Sequence, residues 1–143
     1  MIRKAKKIDV NRIHELLKQI RMLHKELYPE YFASLEDSKY NIDEIEELIC
    51  DSSKNVYVYE ENQVLGYIIG YYHEDYFFVD DLCVDINHKH KHIGSKLMEF
   101  IEENITAEKI MLNVWVKNEV AVRFYEQQGY EPLKYVMVKK KGG

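Results

Sequence analysis

Apolar residues recur at helical spacing along residues 11–28, NRIHELLKQIRMLHKELY, where Ile13, Leu16, Leu17, Ile20, Leu23 and Leu27 share one side. Asp9 stands where an N-cap is expected, and Pro29 stops the run. A second helical pattern, IDEIEELIC, opens at Asn41 or Asp43 and ends near Asp51. The stretch between, Tyr31 to Tyr40, reads as a loop with exposed aromatics. The pattern then changes to that of strands: Val56 to Tyr59, Val64 to Tyr72 (VLGYIIGYY) and Tyr76 to Val84 (YFFVDDLCV), joined by turns at Asn62-Gln63 and His73 to Asp75. Gly66 and Gly70 inside the second run mark bulges or close backbone approach. Helical spacing returns over Ile93 to Glu103, followed by a strand over Ile110 to Val116. Asn118 caps a helix, EVAVRFYEQQ, which Gly129 ends, and Tyr135 to Val138 is expected as a closing strand. Ile2 to Lys6 alternates weakly and is expected as a short first strand. The tail over residues 139–143 is expected to fray.

The predicted order is β-α-α-β-β-β-α-β-α-β. A strand, a helix and a further strand of the same sheet require a right-handed parallel crossover. The expectation is therefore an α/β (α+β) fold: one mixed sheet with helices on both faces, in a single domain spanning residues 1–143. Apolar residues make up 46% of the chain and charged ones 31%, which suits a packed core and excludes a disordered tail. The formal net charge of -5 disfavours nucleic acid and suits a cationic acceptor. Two cysteines, Cys50 and Cys83, give neither a disulfide framework nor zinc spacing. With no signal-peptide core and no run of the roughly 20 apolar residues that span a bilayer, the expected setting is cytoplasmic, with no membrane partner.

Three places carry candidate chemistry. The segment Asn87 to Ser95 joins a strand to a helix, which brings free main-chain N–H groups and the positive end of a helix dipole together. An anion such as pyrophosphate suits that point, with Lys89, Lys91 and Lys96 adding charge and Ser95 a hydroxyl. His88, His90 and His92 add titratable charge that would strengthen anion binding at mildly acidic pH; the helix start at Ile93 argues against an extended, metal-binding arrangement, and no metal is expected. Second, Asp80 and Asp81 are adjacent in a strand. In a regular strand they point to opposite faces, so one can meet an acceptor and take the proton of an ammonium. Third, positions 118, 121 and 125 fall along one side of a helix. A packing role is the competing reading at each place: a solvated strand-to-helix turn, edge charges, and a hydrophobic helix face holding Phe124.

The stretch VDDLCVDINHKHKHIGSKLMEF resembles the acyl-CoA-binding motif of the GNAT acetyltransferases, whose pattern of Gln or Arg, Gly, and Gly or Ala falls on Lys89, His92 and Gly94. Gly94 matches; Lys89 loses the arginine fork and His92 replaces a glycine. The block LNVWVKNEVAVRFYEQQGYEP is similar to that family's second conserved region, with Asn118, Ala121, Phe124-Tyr125 and Gly129-Tyr130 at matching spacings. The resemblance implies a GNAT-like, mainly antiparallel sheet with a splayed central strand pair. It implies acetyl-CoA as co-substrate, held by main chain at Leu82, Cys83 and Val84, by the loop Lys89, His90, Lys91, His92, Ile93, Gly94 and Ser95, and by Asn118 and Ala121. Tyr125 becomes the acid toward the CoA thiolate, and Asp80, then Asp81, the base. Tyr28, Tyr31, Phe32 and Tyr71, with Glu36 and Asp37 nearby, fall where the family walls its acceptor.

The implied activity is transfer of acetyl to a primary amine by direct attack in a ternary complex, with a small molecule slightly preferred over a peptide as acceptor. A homodimer is compatible with it. A non-catalytic acyl-CoA-binding sensor is the alternative, for which His92 in the phosphate loop is the supporting feature, and a structural interaction domain without CoA is a third reading.

Overall fold

The computed structural model describes residues 1–32 and 39–142; Glu36 and Asp37, and most of the expected loop between Tyr31 and Tyr40, lie outside the described residues. The chain forms two compact units, Met1–Asn113 and Val114–Gly143.

The first unit is built on a five-stranded sheet: β1 (Ile2–Lys4), β2 (Lys54–Glu61), β3 (Gln63–His73), β4 (Tyr76–Val84) and β5 (Lys109–Leu112), in that spatial order. The first four pair antiparallel and β5 joins β4 in parallel. Helix α1 (Val10–Leu27), the single turn α2 (Pro29–Phe32) and α3 (Ile42–Cys50) precede β2. One face of the sheet packs on α1 and α3 through Ile13, Leu16, Leu17, Ile45, Val56, Val58, Tyr67 and Ile69. Helix α4 (Ile93–Asn104) packs on β2, β3 and β4 and buries Ile93, Leu97, Met98 and Ile101. Covering both faces is what turns β3 into an almost continuous buried run instead of an alternating one. The mixed, mainly antiparallel sheet with helices on both faces is as expected.

Gly70 is required by packing: a Cβ there would lie 2.4 Å from the Phe77 ring and 2.9 Å from the Phe78 carbonyl oxygen. Asn41 caps α3 by accepting from the Glu44 amide at 2.8 Å, and Glu44 returns a bond to the Asn41 amide at 3.0 Å. Asp9 departs from expectation. It precedes α1 but makes no side-chain cap bond to that helix. Its carboxylate instead receives the Lys6 amide at 2.8 Å and both terminal nitrogens of Arg3, at 2.8 and 2.9 Å, because a bidentate guanidinium outbids a single amide.

The second unit holds α5 (Glu119–Gln127). Asn118 caps it, accepting from the Ala121 amide at 3.2 Å. Its end is a full left-handed cap: Gly129 has φ 99°, and the Gly129 and Tyr130 amides donate to the Glu126 and Tyr125 carbonyls, each at 3.0 Å. Two strand expectations need correction here. The run from Ile110 stays in the sheet only to Leu112, and Tyr135 to Val138 forms no strand. A strand requires a partner edge as well as β-forming residues, and among the described residues none pairs with 135–138; Tyr135, Val136, Met137 and Val138 are exposed.

Candidate active site

Strand β4 carries the site. Over Tyr76–Val79 it is paired on both sides, with β3 and with Lys109–Leu112 of β5. Through Asp80–Val84 it continues after β5 has ended, and the only strand pairing among the described residues is with β3. The main chain of Leu82, Cys83 and Val84 thus lies on the part of β4 that, among the described residues, pairs with no strand but β3, at the place where the resemblance implies a splayed pair. An open strand edge pairs readily with an extended, amide-bearing chain.

At the point where the pair parts, β4 bulges. Ile69 lies opposite Asp81 and Gly70 opposite Val79, which leaves Asp80 without a partner across the ladder. The extra residue resets the alternation. Asp81 now shares the face of Ile69, the face that α1 and α3 cover. Asp80 receives the hydroxyl of Tyr40, which packs against that same core. The two carboxylates are therefore gathered on one face, in place of the opposite faces expected of a regular strand.

Their surroundings differ. Asp80 accepts Tyr40 Oη–H at Oδ2 and lies 3.1 Å from Lys39 Nζ at Oδ1, with its side chain 15% exposed. Burial first, then the bond to Asp80, push the Tyr40 phenol well above its usual range, so it stays a donor. Asp81 accepts the Tyr67 hydroxyl at 2.8 Å. It keeps a partial opening to solvent by surface area, yet enough protein surrounds its carboxyl that burial pushes it up to about 6; the Lys39 charge and the Tyr67 hydroxyl pull the other way, and the neighbouring Asp80 adds to the rise. A carboxylate poised near neutrality with some solvent access has the properties of a general base. Tyr67 is fully buried, and burial holds its phenol protonated. Cys83 turns its Sγ into the core, donating to the Leu16 carbonyl at 3.2 Å, and burial, then Asp81, push the thiol up to about 12. It is no nucleophile; only its main chain is available to a ligand.

Beyond β4 the chain turns through a 3-10 segment, Ile86–Lys91, into α4. Asp85 anchors the turn. Its carboxylate pairs with Arg12 of α1 and accepts the Asn87 amide at 3.0 Å, while Arg12 Nε donates to the Val64 carbonyl at 2.8 Å. Burial raises the Asp85 carboxyl, but the Asn87 amide and Arg12 outweigh it and hold the group below the usual range. Gln19 of α1 receives the Ile86 amide at 2.9 Å. His92, the residue just before α4, sits in the left-handed region at φ 59°, ψ 28°, where the resembled motif has glycine. Ile93 and Gly94 follow as the first-turn residues, whose amides a helix leaves without internal acceptors. Lys89, His90, Lys91 and His92 are exposed. Lys96 turns away from this role, with its ammonium 5.5 Å from the Tyr59 ring centroid. Donors, exposed cations and a pre-set left-handed residue at a helix N-terminus fit a pyrophosphate, and the open β4 edge fits an amide-bearing arm. The 3-10 turn does not extend the alternating histidines along one face, and no group of three His, Cys, Asp or Glu among the described residues is placed to hold a metal.

Other expected residues are distributed as follows. Tyr71 is half-buried, with Lys54 Nζ 4.0 Å from its ring centroid and Phe78 at 5.6 Å. Tyr28 is buried at the end of α1; Tyr31 is 41% exposed, and Phe32 packs on His24 and Arg21. In the second unit Asn118 is buried with its amide oxygen committed to capping, and Tyr125 is half-buried between Phe124 at 5.2 Å and Tyr130 at 5.8 Å. Sequence reading missed Tyr40, Lys39, Tyr67, Arg12 and Asp85. Only Asp85 carried a local signal, as an Asx residue opening a turn.

The fold is a mixed sheet whose fourth strand runs past the end of β5 into a turn and a helix N-terminus, an arrangement with the chemistry to take an amide-bearing arm and a pyrophosphate. The model of the acetyltransferase (GNAT) domain matches residues 52–132, more than half of the chain, and the chain therefore belongs to the GNAT family as an acetyl-CoA-dependent N-acetyltransferase. No curated protein matches it in sequence. Similar solved structures include a mutant protein from Bacillus halodurans at TM-score 0.89, 21% identity and 98% coverage of both chains. The PaiA N-acetyltransferase of Thermoplasma acidophilum in complex with coenzyme A has TM-score 0.76 and 22% identity, covering 92% of this chain and 89% of its own. An aminoglycoside acetyltransferase from an uncultured soil metagenomic sample, in complex with sisomicin, has TM-score 0.63 and 20% identity, covering 99% and 96%. At these identities the likeness is one of fold. Among the described residues no helix is long and apolar enough to cross a membrane.

Proposed function

We propose that the chain transfers acetyl from acetyl-CoA to the primary amine of a small molecule by direct attack, with Asp81 as the general base. The observation that carries this reading is the bulge at Asp80: it places two carboxylates beside an open strand edge and buries one of them enough to hold its carboxyl near 6. Acetyl-CoA supplies an activated thioester carbonyl. The protein's part begins with an ammonium drawn to Asp80 and Asp81. Asp81 removes its proton, because an ammonium has no lone pair to attack with. A main-chain N–H on the Leu82–Val84 edge polarises the carbonyl. The Ile93 and Gly94 amides, with Lys89 and Lys91, hold the pyrophosphate, and Ala121 leaves room beside the arm. Tyr125 serves as the acid toward the departing thiolate; a thiol with an ordinary value of about 8.5 needs little assistance. The whole chain acts as one catalytic domain in this reading.

A cationic acceptor suits the acidic charge balance of the chain, and Tyr71 and Phe78 on the carboxylate face suit an amine with an apolar body. That one similar fold is an aminoglycoside acetyltransferase supports a small-molecule acceptor. The test is CoA release with a panel of primary amines. Native protein turns over; Asp81→Asn and Tyr125→Phe each lose about 10²–10⁴-fold. Tight CoA binding without turnover on the whole panel would favour the sensor reading.

A further inference from the structure

An ammonium already occupies the carboxylate face. Lys39 Nζ lies 3.1 Å from Asp80 Oδ1 and donates to the Asp80 main-chain oxygen at 2.9 Å. It also stands 5.7 Å from the Tyr40 ring centroid, and it is the foremost opposing charge acting on Asp81. A primary amine on an unbranched alkyl chain thus rests against the strand bulge that the proposed reaction uses, gripped by a carboxylate, a carbonyl and an aromatic ring. These are the contacts an incoming acceptor needs. Its side chain is 48% exposed, so it is held without being locked.

We propose that Lys39 is a self-acetylation site, modified in cis by the acetyl-CoA bound to its own chain. The inference rests on the acyl-transfer reading above. The Asp81 carboxylate takes one proton from the Lys39 ammonium. The freed lone pair attacks the thioester carbonyl, an N–C bond forms, and the C–S bond breaks with its electron pair passing to sulfur. The nitrogen then sheds its second proton; one proton ends on the CoA thiol and one in solvent. Lysine ammonium and acetyl-CoA become acetyl-lysine, free CoA and a proton. Tethering gives this amine an advantage over any free one, because no encounter is needed. Acetyl-Lys39 is uncharged and no longer pairs with Asp80, which leaves that carboxylate to Tyr40 and to an external acceptor.

The experiment is incubation of the full chain with acetyl-CoA and no amine, followed by proteolysis and peptide mass measurement over time. Exposed Lys18 and Lys25 serve as internal references for uncatalysed chemistry. Lys39 is expected to acquire acetyl about tenfold or more faster than either reference, with a rate constant unchanged on dilution of the protein. Asp81→Asn slows Lys39 and leaves Lys18 and Lys25 as before. Equal rates at all three lysines, or a Lys39 rate constant that scales with protein concentration, would overturn the proposal. Turnover of external amines by a preparation in which Lys39 stays unmodified overturns self-acetylation alone; absence of CoA release to any acceptor overturns the acyl-transfer reading with it.

Discussion

Asp81 stands in conflict with stability. Its carboxyl is held near 6 in the folded chain, against an ordinary value of 3.8. A raised carboxyl favours the folded state when protonated, so its contribution is fully present below pH ~4 and is lost as pH rises through about 6. At neutral pH the ionised group therefore weakens the fold. Asp81→Asn keeps an acceptor for Tyr67 and removes that charge, so thermal unfolding at pH 7.5 is expected to show a gain of about 1–2 kcal/mol, while activity falls. An unchanged or lowered midpoint would contradict the burial argument. His92 is the second residue under tension. A side chain at φ 59° costs about 1 kcal/mol, less for His than for most residues. His92→Gly is expected to be neutral or stabilising by up to about 1 kcal/mol, and His92→Val to destabilise by about 2 kcal/mol in urea unfolding. The sequence contained both residues but not their conformations. Asp80 and Asp81 read as a regular alternating pair because the extra residue sits in β4, while its one local sign, Gly70, stands on the facing strand at the register shift between Ile69 and Gly70.

One ion pair ties the strand-to-helix connection to the rest of the first unit, beside the hydrogen bonds from main-chain amides to Gln19 and Asp85. Arg12 reaches from α1 to Asp85 and to the Val64 carbonyl, and so ties the start of the loop to both a helix and a strand. With Asp85 5% exposed and Arg12 20%, Arg12→Met leaves a buried carboxylate unpaired. A loss of about 2–3 kcal/mol in chemical denaturation is expected, with weaker acetyl-CoA binding in calorimetry, and Asp85→Asn in the same chain restores part of the stability. Equal destabilisation by the single and double variants would dismiss the pair as the anchor. At this scale the sequence was most legible where signals were local. Helix α1 ends before Pro29, Asn41 and Asn118 cap as expected, and Gly129 builds the left-handed cap with φ 99°. It was least legible where a long-range partner decides the outcome: Tyr135 to Val138 has the composition of a strand and forms none, and Lys39 and Tyr40 come from a loop with no periodicity to place them.

For the molecule as a whole, two motif segments sufficed to point to the family, because the pattern through Asn118, Ala121, Phe124-Tyr125 and Gly129-Tyr130 is long and spaced. The mixed sheet with its run of antiparallel strands was legible in the order of elements, whereas the open side of β4 was implied only by the resemblance; together they set out the main-chain groups that the co-substrate is proposed to use. The proposed acceptor side is less legible, since aromatic residues such as Tyr28, Phe32 and Tyr71 also serve packing. The base is the most exacting claim, because it depends on a bulge and on burial together. The most direct measurement is the pH dependence of kcat/KM for CoA release with one primary amine, on native protein and on Asp81→Asn. The native profile is predicted to carry an acid limb with a midpoint near pH ~6 that disappears in the variant, together with a loss of about 10²-fold or more. The same acid limb in both proteins, with turnover preserved in Asp81→Asn, would contradict Asp81 as the base.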